Sequence, residues 1–208
     1  MSRLAQSGFT HAGQSCISVQ RVYVERAAHE EFTHLFVAAV EKLVVGDPTD
    51  DATDVGPVIS AAARGRVVEW IDEAVAGGAT VLTGGEVTGT LISPCVIDGI
   101  TPTMRVSRDE VFGPVVGLAA VASIDEAIAL ANDNPYGLQA AIFTARVDHA
   151  LQWARQLHFG GVLINETPTF RADQQPYGGV KDSGNTREGP RYAVRTMSEA
   201  KFIAIDLP

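Results

Sequence analysis

The stretch Val115-Val116-Gly117-Leu118-Ala119-Ala120-Val121 decides the fold class, because seven apolar or small residues follow one another without polar alternation. Such a run is typical of a strand that is covered on both faces, as in a parallel sheet between helices. Other short runs rich in β-branched residues also predict strands, and they are Arg21–Glu25, Thr80–Thr83, Ala140–Phe143, Val162–Ile164 and Phe202–Ile205.

Helical periodicity separates several of these runs. Apolar residues recur at three- and four-residue steps in Ala27–Leu43, Ser60–Ala76, Ile124–Ala131 and Asp148–Leu157, and this spacing predicts amphipathic helices. Ser123 stands directly before the third helix and is predicted to be its N-cap. Because helices alternate with strands, we predict an α/β fold with a mostly parallel sheet flanked by helices.

Charge, hydrophobicity and cysteine content exclude several classes of protein. The 208 residues include 16 Lys and Arg and 25 Asp and Glu, which gives a formal charge of −9. A nucleic acid or an anionic membrane needs a basic footprint, so we expect neither as a partner. No apolar run approaches the roughly 20 residues of a membrane span, and Met1–Ser15 has no signal-peptide core. Two cysteines are too few for a disulfide framework, and the sequence predicts a cytoplasmic enzyme.

The two cysteines have different surroundings. Cys95 lies among Pro94, Val96 and Ile97 and is predicted to be a small core residue. Cys16 ends the stretch Phe9-Thr10-His11-Ala12-Gly13-Gln14-Ser15-Cys16, outside any apolar stripe. Backbone N–H groups at a turn there would favour the thiolate and could stabilise an oxyanion. Cys16 is therefore the candidate nucleophile, and the five scattered histidines indicate no metal site.

Four ordered blocks carry a resemblance to a known family. The first has the form F-x-x-x-G-Q-x-C and is matched by Phe9, Gly13, Gln14 and Cys16. The others are Asp109-Glu110-Val111-Phe112-Gly113-Pro114, Asn134-Pro135-Tyr136-Gly137-Leu138, and Pro176-Tyr177-Gly178-Gly179-Val180-Lys181-Asp182-Ser183-Gly184 followed by Arg187-Glu188-Gly189. In this order, and over almost the whole chain, they resemble the catalytic domain of the aldehyde dehydrogenase superfamily.

The resemblance implies roles for individual residues. Cys16 would add to an aldehyde to give a thiohemiacetal, and its own N–H would supply half of an oxyanion hole. Glu110 would accept hydrogen bonds from the ribose hydroxyls of a bound NAD or NADP, and Phe112 would pack beside the nicotinamide. Arg66 would reach the ribose on the adenosine side, where the family usually has Lys.

The substrate pocket is predicted by position in the same way. Phe170 and Tyr177 resemble the pocket-lining aromatic residues of the family. The surrounding sequence looks most like members that oxidise lactaldehyde, succinate semialdehyde, glyceraldehyde 3-phosphate without phosphorylation, or phosphonoacetaldehyde. A planar guanidinium suits a carboxylate or phosphate group, so Arg171 is the candidate anchor for an anionic substrate.

The resemblance also predicts the domain organisation. Residues 1–200 would form the catalytic domain, and residues 201–208 would form a terminal strand that pairs with a neighbouring subunit in a homodimer or homotetramer. The dinucleotide-binding domain, the Glu general base and an Asn oxyanion donor belong to a segment of the family that precedes this region. We therefore expect the chain alone to lack dehydrogenase activity. Thr186 stands where the family often has glycine, and a positive φ there would strain its β-branched side chain.

Two other functions remain open on the sequence alone. Cys16 could pair with a histidine such as His11 in a cysteine-dependent hydrolase, although no Asn or Asp orienter is evident. Alternatively, the chain could be an orphan module for oligomerisation or interaction. Neither alternative explains the block around Glu110 and Phe112.

Overall fold

The computed structural model describes residues 1–208. The central element is a four-stranded sheet in the order β1-β6-β5-β2. The β1–β6 and β6–β5 pairs are parallel, whereas β5 and β2 are antiparallel. Its strands are β1 (Arg21–Glu25), β2 (Thr80–Thr83), β5 (Cys95–Asp98) and β6 (Val115–Val121). This arrangement confirms the predicted α/β class with a mostly parallel sheet.

Three smaller ladders complete the strands. A hairpin joins β3 (Val87–Thr88) to β4 (Leu91–Ile92). A short antiparallel pair joins β7 (Tyr136–Gly137) to β10 (Val180–Lys181). The third ladder is a parallel pair of β8 (Gln139–Ile142) and β9 (Gly161–Ile164). On their other sides, β1 and β8 have no partner strand.

Seven α-helices surround these strands. They are α1 (Ser2–Phe9), α2 (Arg26–Val40), α3 (Ala61–Ala76), α4 (Arg105–Arg108), α5 (Ile124–Asn132), α6 (Val147–Gln156) and α7 (Pro190–Thr196). The predicted N-cap of α5 is confirmed, because the Ser123 hydroxyl accepts from the N–H of Glu126. Ser60 caps α3 in the same way by accepting from the N–H of Ala63. No helix has both the length and the apolar character needed to cross a membrane.

The hydrophobic core lies between the main sheet and α1–α3. Val96, Ile97, Val116 and Leu118 are fully buried at the centre of the sheet, and Phe36 of α2 packs into the same cluster of 23 buried residues. A second, small cluster joins Ile128 of α5, Ile142 of β8 and Leu157. The chain therefore packs its main sheet and the β8–β9 pair around separate apolar clusters.

The C-terminal segment forms no strand within the chain. Residues 201–208 have no regular secondary structure and all of them are exposed. The prediction of a strand over Phe202–Ile205 is thus not met inside a single chain, because no neighbouring strand supplies backbone partners. Its pairing with a second subunit stays a prediction.

Candidate active site

Cys16 lies in an exposed turn between α1 and β1. Its side chain is exposed, whereas Cys95 in β5 is fully buried. The backbone N–H of Cys16 donates to no acceptor in the chain, and its Sγ atom lies 3.0 Å from the hydroxyl oxygen of Tyr177. The predicted contrast in accessibility between the two thiols is confirmed, and the sulfur contacts a tyrosine rather than a histidine.

A left-handed turn brings the chain from α1 to this cysteine. His11, Ala12 and Gly13 have φ values of 54°, 55° and 68°. A left-handed conformation costs a non-glycine residue roughly 1–2 kcal/mol, and Ala12 is fully buried in it. Such strain persists only where the surroundings fix it, and it is concentrated at functional sites.

Close packing and one glutamine fix this turn. A Cβ atom on Gly13 would overlap the carbonyl group of Gly113, so the turn lies directly against the Gly113-Pro114 backbone. Gln14 donates to the carbonyl of Pro57 over 3.4 Å and accepts from the N–H of Ile59 over 2.8 Å. The glycine and glutamine of the cysteine motif therefore attach this turn to two other segments.

The Glu110-Val111-Phe112 segment is held in place by Gln20. The Gln20 amide donates to the carbonyl of Asp109 over 2.6 Å and accepts from the N–H of Val111 over 3.3 Å. Phe112 has a φ of 47° and leaves 40% of its surface exposed. An exposed phenylalanine in a left-handed conformation is unusual. The exposed part of its ring lies next to residues 110–112.

Glu110 and Arg66 lie close enough to influence each other. Neighbouring protein atoms desolvate the carboxylate and raise its pKa, and the positive charge of Arg66 opposes that rise. The guanidinium of Arg66 donates to the carbonyl of Val111 over 2.6 Å and lies 5.1 Å from the Trp70 ring centroid. Arg66 thus holds the Glu110 segment in this structure, whereas the sequence prediction gave it a role only towards a ribose.

One cleft of about 1150 Å³ joins the cysteine to this segment. Cys16, Glu110 and Phe112 all line it, although 94 residues separate Cys16 from Glu110 in the chain. Arg66, Phe170, Arg171 and Tyr177 do not line it. The structure therefore brings Cys16, Glu110 and Phe112 to one cleft and leaves Arg66 outside it, on the Val111 carbonyl. Tyr177 and Arg171 lie on a second side of Cys16.

Tyr177 and Arg171 occupy that second side. Tyr177 is only 7% exposed, and its backbone N–H and carbonyl pair with Glu188 over 3.2 Å and 2.6 Å. The Arg171 guanidinium lies 3.7 Å from the centroid of the Tyr177 ring and 3.7 Å from the Glu188 carboxylate. Phe170 is half exposed in the same loop. The loop thus places one cation on the tyrosine that contacts the thiol.

The two remaining sequence blocks connect the β7–β10 ladder to the segment that carries Glu110. Asn134 donates to the carbonyl of Arg108 over 2.9 Å, and Lys181 donates to the carbonyl of Asn134 over 3.0 Å. The Ser183 hydroxyl accepts from the N–H of Gly137 over 3.0 Å. These blocks therefore hold the β7–β10 ladder next to the segment that carries Glu110.

Thr186 does not have the positive φ that would strain its side chain. The positive φ values in this loop belong to Gly184 (116°) and Gly189 (112°), and Thr186 is not among the residues with positive φ. Thr186 avoids this strain because the left-handed positions are taken by two neighbouring glycines.

Sequence reasoning missed two contributors to the site. Gln20 precedes β1 and bonds to a segment about 90 residues away, and no local pattern marks such a bond. The Tyr177 hydroxyl was also missed, because Tyr177 was predicted only as an aromatic residue that lines the substrate pocket. The sequence shows that residue 177 is a tyrosine, but only the folded chain brings its hydroxyl to the sulfur of Cys16.

Comparisons with known proteins show which sequences this chain resembles. The sequence model described as "Aldehyde dehydrogenase family" matches residues 1–203. The 3-sulfolactaldehyde dehydrogenase of Priestia megaterium is 44% identical over 206 residues, which are 99% of this chain and 43% of that protein. The lactaldehyde dehydrogenase of Methanococcus maripaludis is 43% identical over 200 residues, which are 96% of this chain and 43% of that protein.

A solved structure matches the fold as well as the sequence. The glyceraldehyde-3-phosphate dehydrogenase of Methanocaldococcus jannaschii, complexed with NADP, superposes with a TM-score of 0.91 at 38% identity. The match covers 95% of this chain and 43% of the solved chain. This chain therefore spans less than half the length of the proteins it resembles.

Proposed function

The chain belongs to the aldehyde dehydrogenase family, and from this premise we propose that it is the cysteine-bearing part of an NAD(P)-dependent dehydrogenase. The activity would convert a small aldehyde into its acid. The observation that supports this most directly is the single cleft lined by an exposed Cys16, Glu110 and Phe112.

The exposure of Cys16 supports a role as the nucleophile. The sulfur adds to the aldehyde carbon, the C–S bond forms, and the thiol proton ends on the former carbonyl oxygen as a thiohemiacetal. The free N–H of Cys16 can donate to that oxygen while it is negatively charged. Loss of a hydride from the same carbon and of the proton from its oxygen leaves a thioester on Cys16, and attack of water on the thioester releases the acid and restores the thiol.

Glu110 and Phe112 fit a nicotinamide cofactor in the same cleft. The Glu110 carboxylate is exposed and can accept two hydrogen bonds from a ribose diol, and the exposed Phe112 ring offers an apolar face. When bound, the oxidised cofactor supplies the acceptor for the hydride. Arg66 would act here by holding the Val111 carbonyl, and with it the Glu110 segment.

We propose that the substrate is a small aldehyde with an anionic group, and that Phe170, Arg171 and Tyr177 form its side of the site. Arg171 lies on the Tyr177 ring beside Cys16, and its guanidinium keeps only a 3.7 Å contact with Glu188. Two of the three relatives described above are named for aldehydes with a sulfonate or phosphate group. A guanidinium binds such groups through paired hydrogen bonds.

Addition of the aldehyde can be measured on the 208-residue chain. Cys16 is exposed, so iodoacetamide will label it, and an aldehyde that forms the thiohemiacetal will slow the labelling. We expect succinate semialdehyde to protect Cys16 at lower concentration than neutral propanal, and Cys16→Ser to remove the label. Equal labelling with and without aldehyde would contradict a nucleophilic role for Cys16.

Arg171→Ala tests the anionic preference in the same assay. We expect it to reduce the preference for succinate semialdehyde over propanal by about tenfold, since a charged hydrogen bond contributes about 1.5–3 kcal/mol. Arg191→Ala is the matched control, because Arg191 is an exposed arginine on α7 without an ion pair. An unchanged preference in Arg171→Ala would exclude Arg171 as the anchor.

Oxidation needs more than this chain, because no residue here matches the family's general base. We expect the 208-residue chain to form no NAD(P)H from an aldehyde. Joining it to the preceding part of a longer relative should restore NAD(P)H formation, and Cys16→Ser in that protein should abolish it. NAD(P)H formation by the chain alone would contradict the proposal that oxidation needs residues outside this chain.

A further inference from the structure

The contact between Tyr177 and Cys16 joins an exposed thiol to a buried phenol. Their Oη and Sγ atoms are 3.0 Å apart, although 161 positions separate the residues. Tyr177 is 7% exposed and paired through its backbone with Glu188, whereas the cysteine side chain is exposed. The phenol is therefore the fixed partner and the sulfur is the partner that it can orient.

The direction of this hydrogen bond follows from the surroundings of the phenol. Burial raises the pKa of Tyr177, and the bond to Cys16 raises it further. The thiolate form of Cys16 has no proton, so in that form the Tyr177 hydroxyl must be the donor across the 3.0 Å contact. The guanidinium of Arg171 on the ring face opposes the rise in the pKa of Tyr177.

We propose that Tyr177 is a hydrogen-bond donor to the catalytic sulfur, which favours the thiolate form of Cys16 and fixes its direction. The inference rests on the proposed nucleophilic role of Cys16 and adds a residue to that role. A sulfur that accepts an O–H bond is stabilised more as an anion than as a neutral thiol. Phenylalanine at this position would preserve the packing and lose the donor.

Arg171 extends the same arrangement. Its planar group stacks on the tyrosine ring, so it reaches the sulfur only through Tyr177. Its contact with Glu188 adds a negative charge that partly offsets the guanidinium. Arg171 is thus a positioning residue for the phenol in addition to its proposed part in substrate binding.

The test is the pH profile of Cys16 alkylation in the 208-residue chain without cofactor or aldehyde. Burial raises the pKa of the Cys95 thiol to about 12, so Cys95 stays unlabelled unless the chain unfolds. In Tyr177→Phe we expect labelling at neutral pH to slow by about tenfold and the midpoint of the profile to rise by about one pH unit. The limiting rate at high pH should be preserved, because the thiolate itself is intact.

Two further variants keep the outcome decisive. Tyr192→Phe removes a phenol from α7 that makes no bond to Cys16, and we expect it to leave the profile unchanged. Arg171→Met retains the Tyr177 hydroxyl and should raise the midpoint by less than Tyr177→Phe does. Protection of Cys95 shows that the Tyr177→Phe chain is folded. If that folded chain labels at the same rate as the unmodified chain, or with the same midpoint, the inference is wrong.

This result is separable from the proposed function. An unchanged profile in Tyr177→Phe, together with aldehyde protection of Cys16, would overturn the tyrosine's role alone. Loss of aldehyde protection in the unmodified chain would overturn the nucleophilic role of Cys16 and the inference with it.

Discussion

At the scale of single residues, Glu110 shows that a binding group can oppose folding. Its carboxylate faces the cleft, and partial desolvation raises its pKa against the attraction of Arg66. A carboxyl whose pKa is raised by folding is protonated more readily in the folded chain. Ionisation of Glu110 therefore lowers stability, and this effect starts as the pH rises past the ordinary glutamate value of 4.5.

Glu110→Gln should consequently increase the free energy of unfolding at pH 7. We expect a gain of at most about 0.5 kcal/mol, because the side chain is exposed and solvent screens it. The gain should disappear as the pH falls well below 4.5. There Glu110 is protonated in the folded and in the unfolded chain, and it is then neutral as Gln is at every pH. Urea unfolding of both chains at pH 7 and at pH 4 measures the difference.

Glu86→Gln is the matched control of opposite sign. The Glu86 carboxylate accepts from the Ser93 hydroxyl, and this bond lowers its pKa. Its contribution to stability is present at neutral pH and is lost as the pH falls through the lowered value. Glu86→Gln should therefore be slightly less stable than the unmodified chain at pH 7, and a gain in stability would contradict the assignment.

Single residues also define how far the sequence predicts the site. The polar surroundings of Cys16 and the apolar surroundings of Cys95 were enough to predict which thiol is accessible. The Glu110 motif predicted a residue that does line the cysteine's cleft. The bonds of Gln20 and of the Tyr177 hydroxyl were not predictable, because each joins segments that only the folded chain brings together.

At the scale of elements, the turn at Gly13 controls the distance between two parts of the site. It carries Cys16 three residues later, and its backbone lies against Gly113, next to Phe112. The cysteine and the Glu110-Phe112 segment can therefore share a cleft only while this contact is intact.

Gly13→Ala should separate these two elements. The new methyl group would overlap the Gly113 carbonyl, and alanine would also have to adopt a φ of 68°. We expect a loss of about 3 kcal/mol or more in the free energy of unfolding, measured by urea unfolding. Cys16 alkylation should lose its dependence on Tyr177 in any fraction that folds.

Gly78→Ala separates the backbone effect from the contact. Gly78 has a φ of 99°, and a Cβ atom there would meet nothing within 4 Å. Its loss should stay near about 1–2 kcal/mol, the cost of a left-handed conformation. Equal losses in the two variants would mean that the contact with Gly113 contributes nothing.

Elements were predictable where the local signals were complete. The helices that became α3 and α5 have an apolar face and a serine cap, and their predicted spans agree with the structure to within one residue. Helix α1 was missed because its serines and glycine are weak helix formers. Strand β5 was missed because its four residues follow a proline and were taken only as surroundings of Cys95.

At the scale of the whole molecule, the C-terminal segment carries apolar residues that no part of the chain covers. Phe202, Ile203, Ile205 and Leu207 are 90%, 72%, 77% and 80% exposed. Exposed apolar side chains at this density are typical of an interaction surface. The segment therefore fits the predicted role of a strand that pairs with a second subunit.

Deletion of residues 202–208 should change association and leave the fold intact. We expect the deleted chain to sediment as a monomer under conditions in which the unmodified chain forms a dimer or tetramer. Because these side chains are exposed within one chain, the thermal midpoint of the monomer should stay constant. Equal sedimentation of the two chains would argue against the segment as an interface.

The order of the strands was beyond the reach of the sequence. The main sheet runs β1-β6-β5-β2, so β1 lies next to β6, a strand that is distant from it in the chain. Apolar runs predicted β1, β2 and β6 as strands, but they do not indicate which strands pair. The association of Cys16 with Glu110 depends on this order, because β1 follows the cysteine and β6 follows the glutamate segment.

The unpaired sides of β1 and β8 have a further consequence, since residues of both strands line the same cleft. A free strand side offers a row of N–H and C=O groups to any extended peptide. Because two such rows lie on one surface, a chain in which neither row is covered can aggregate by pairing edge to edge with other chains. Handling of the isolated chain at high concentration therefore calls for conditions that suppress amyloid-like stacking.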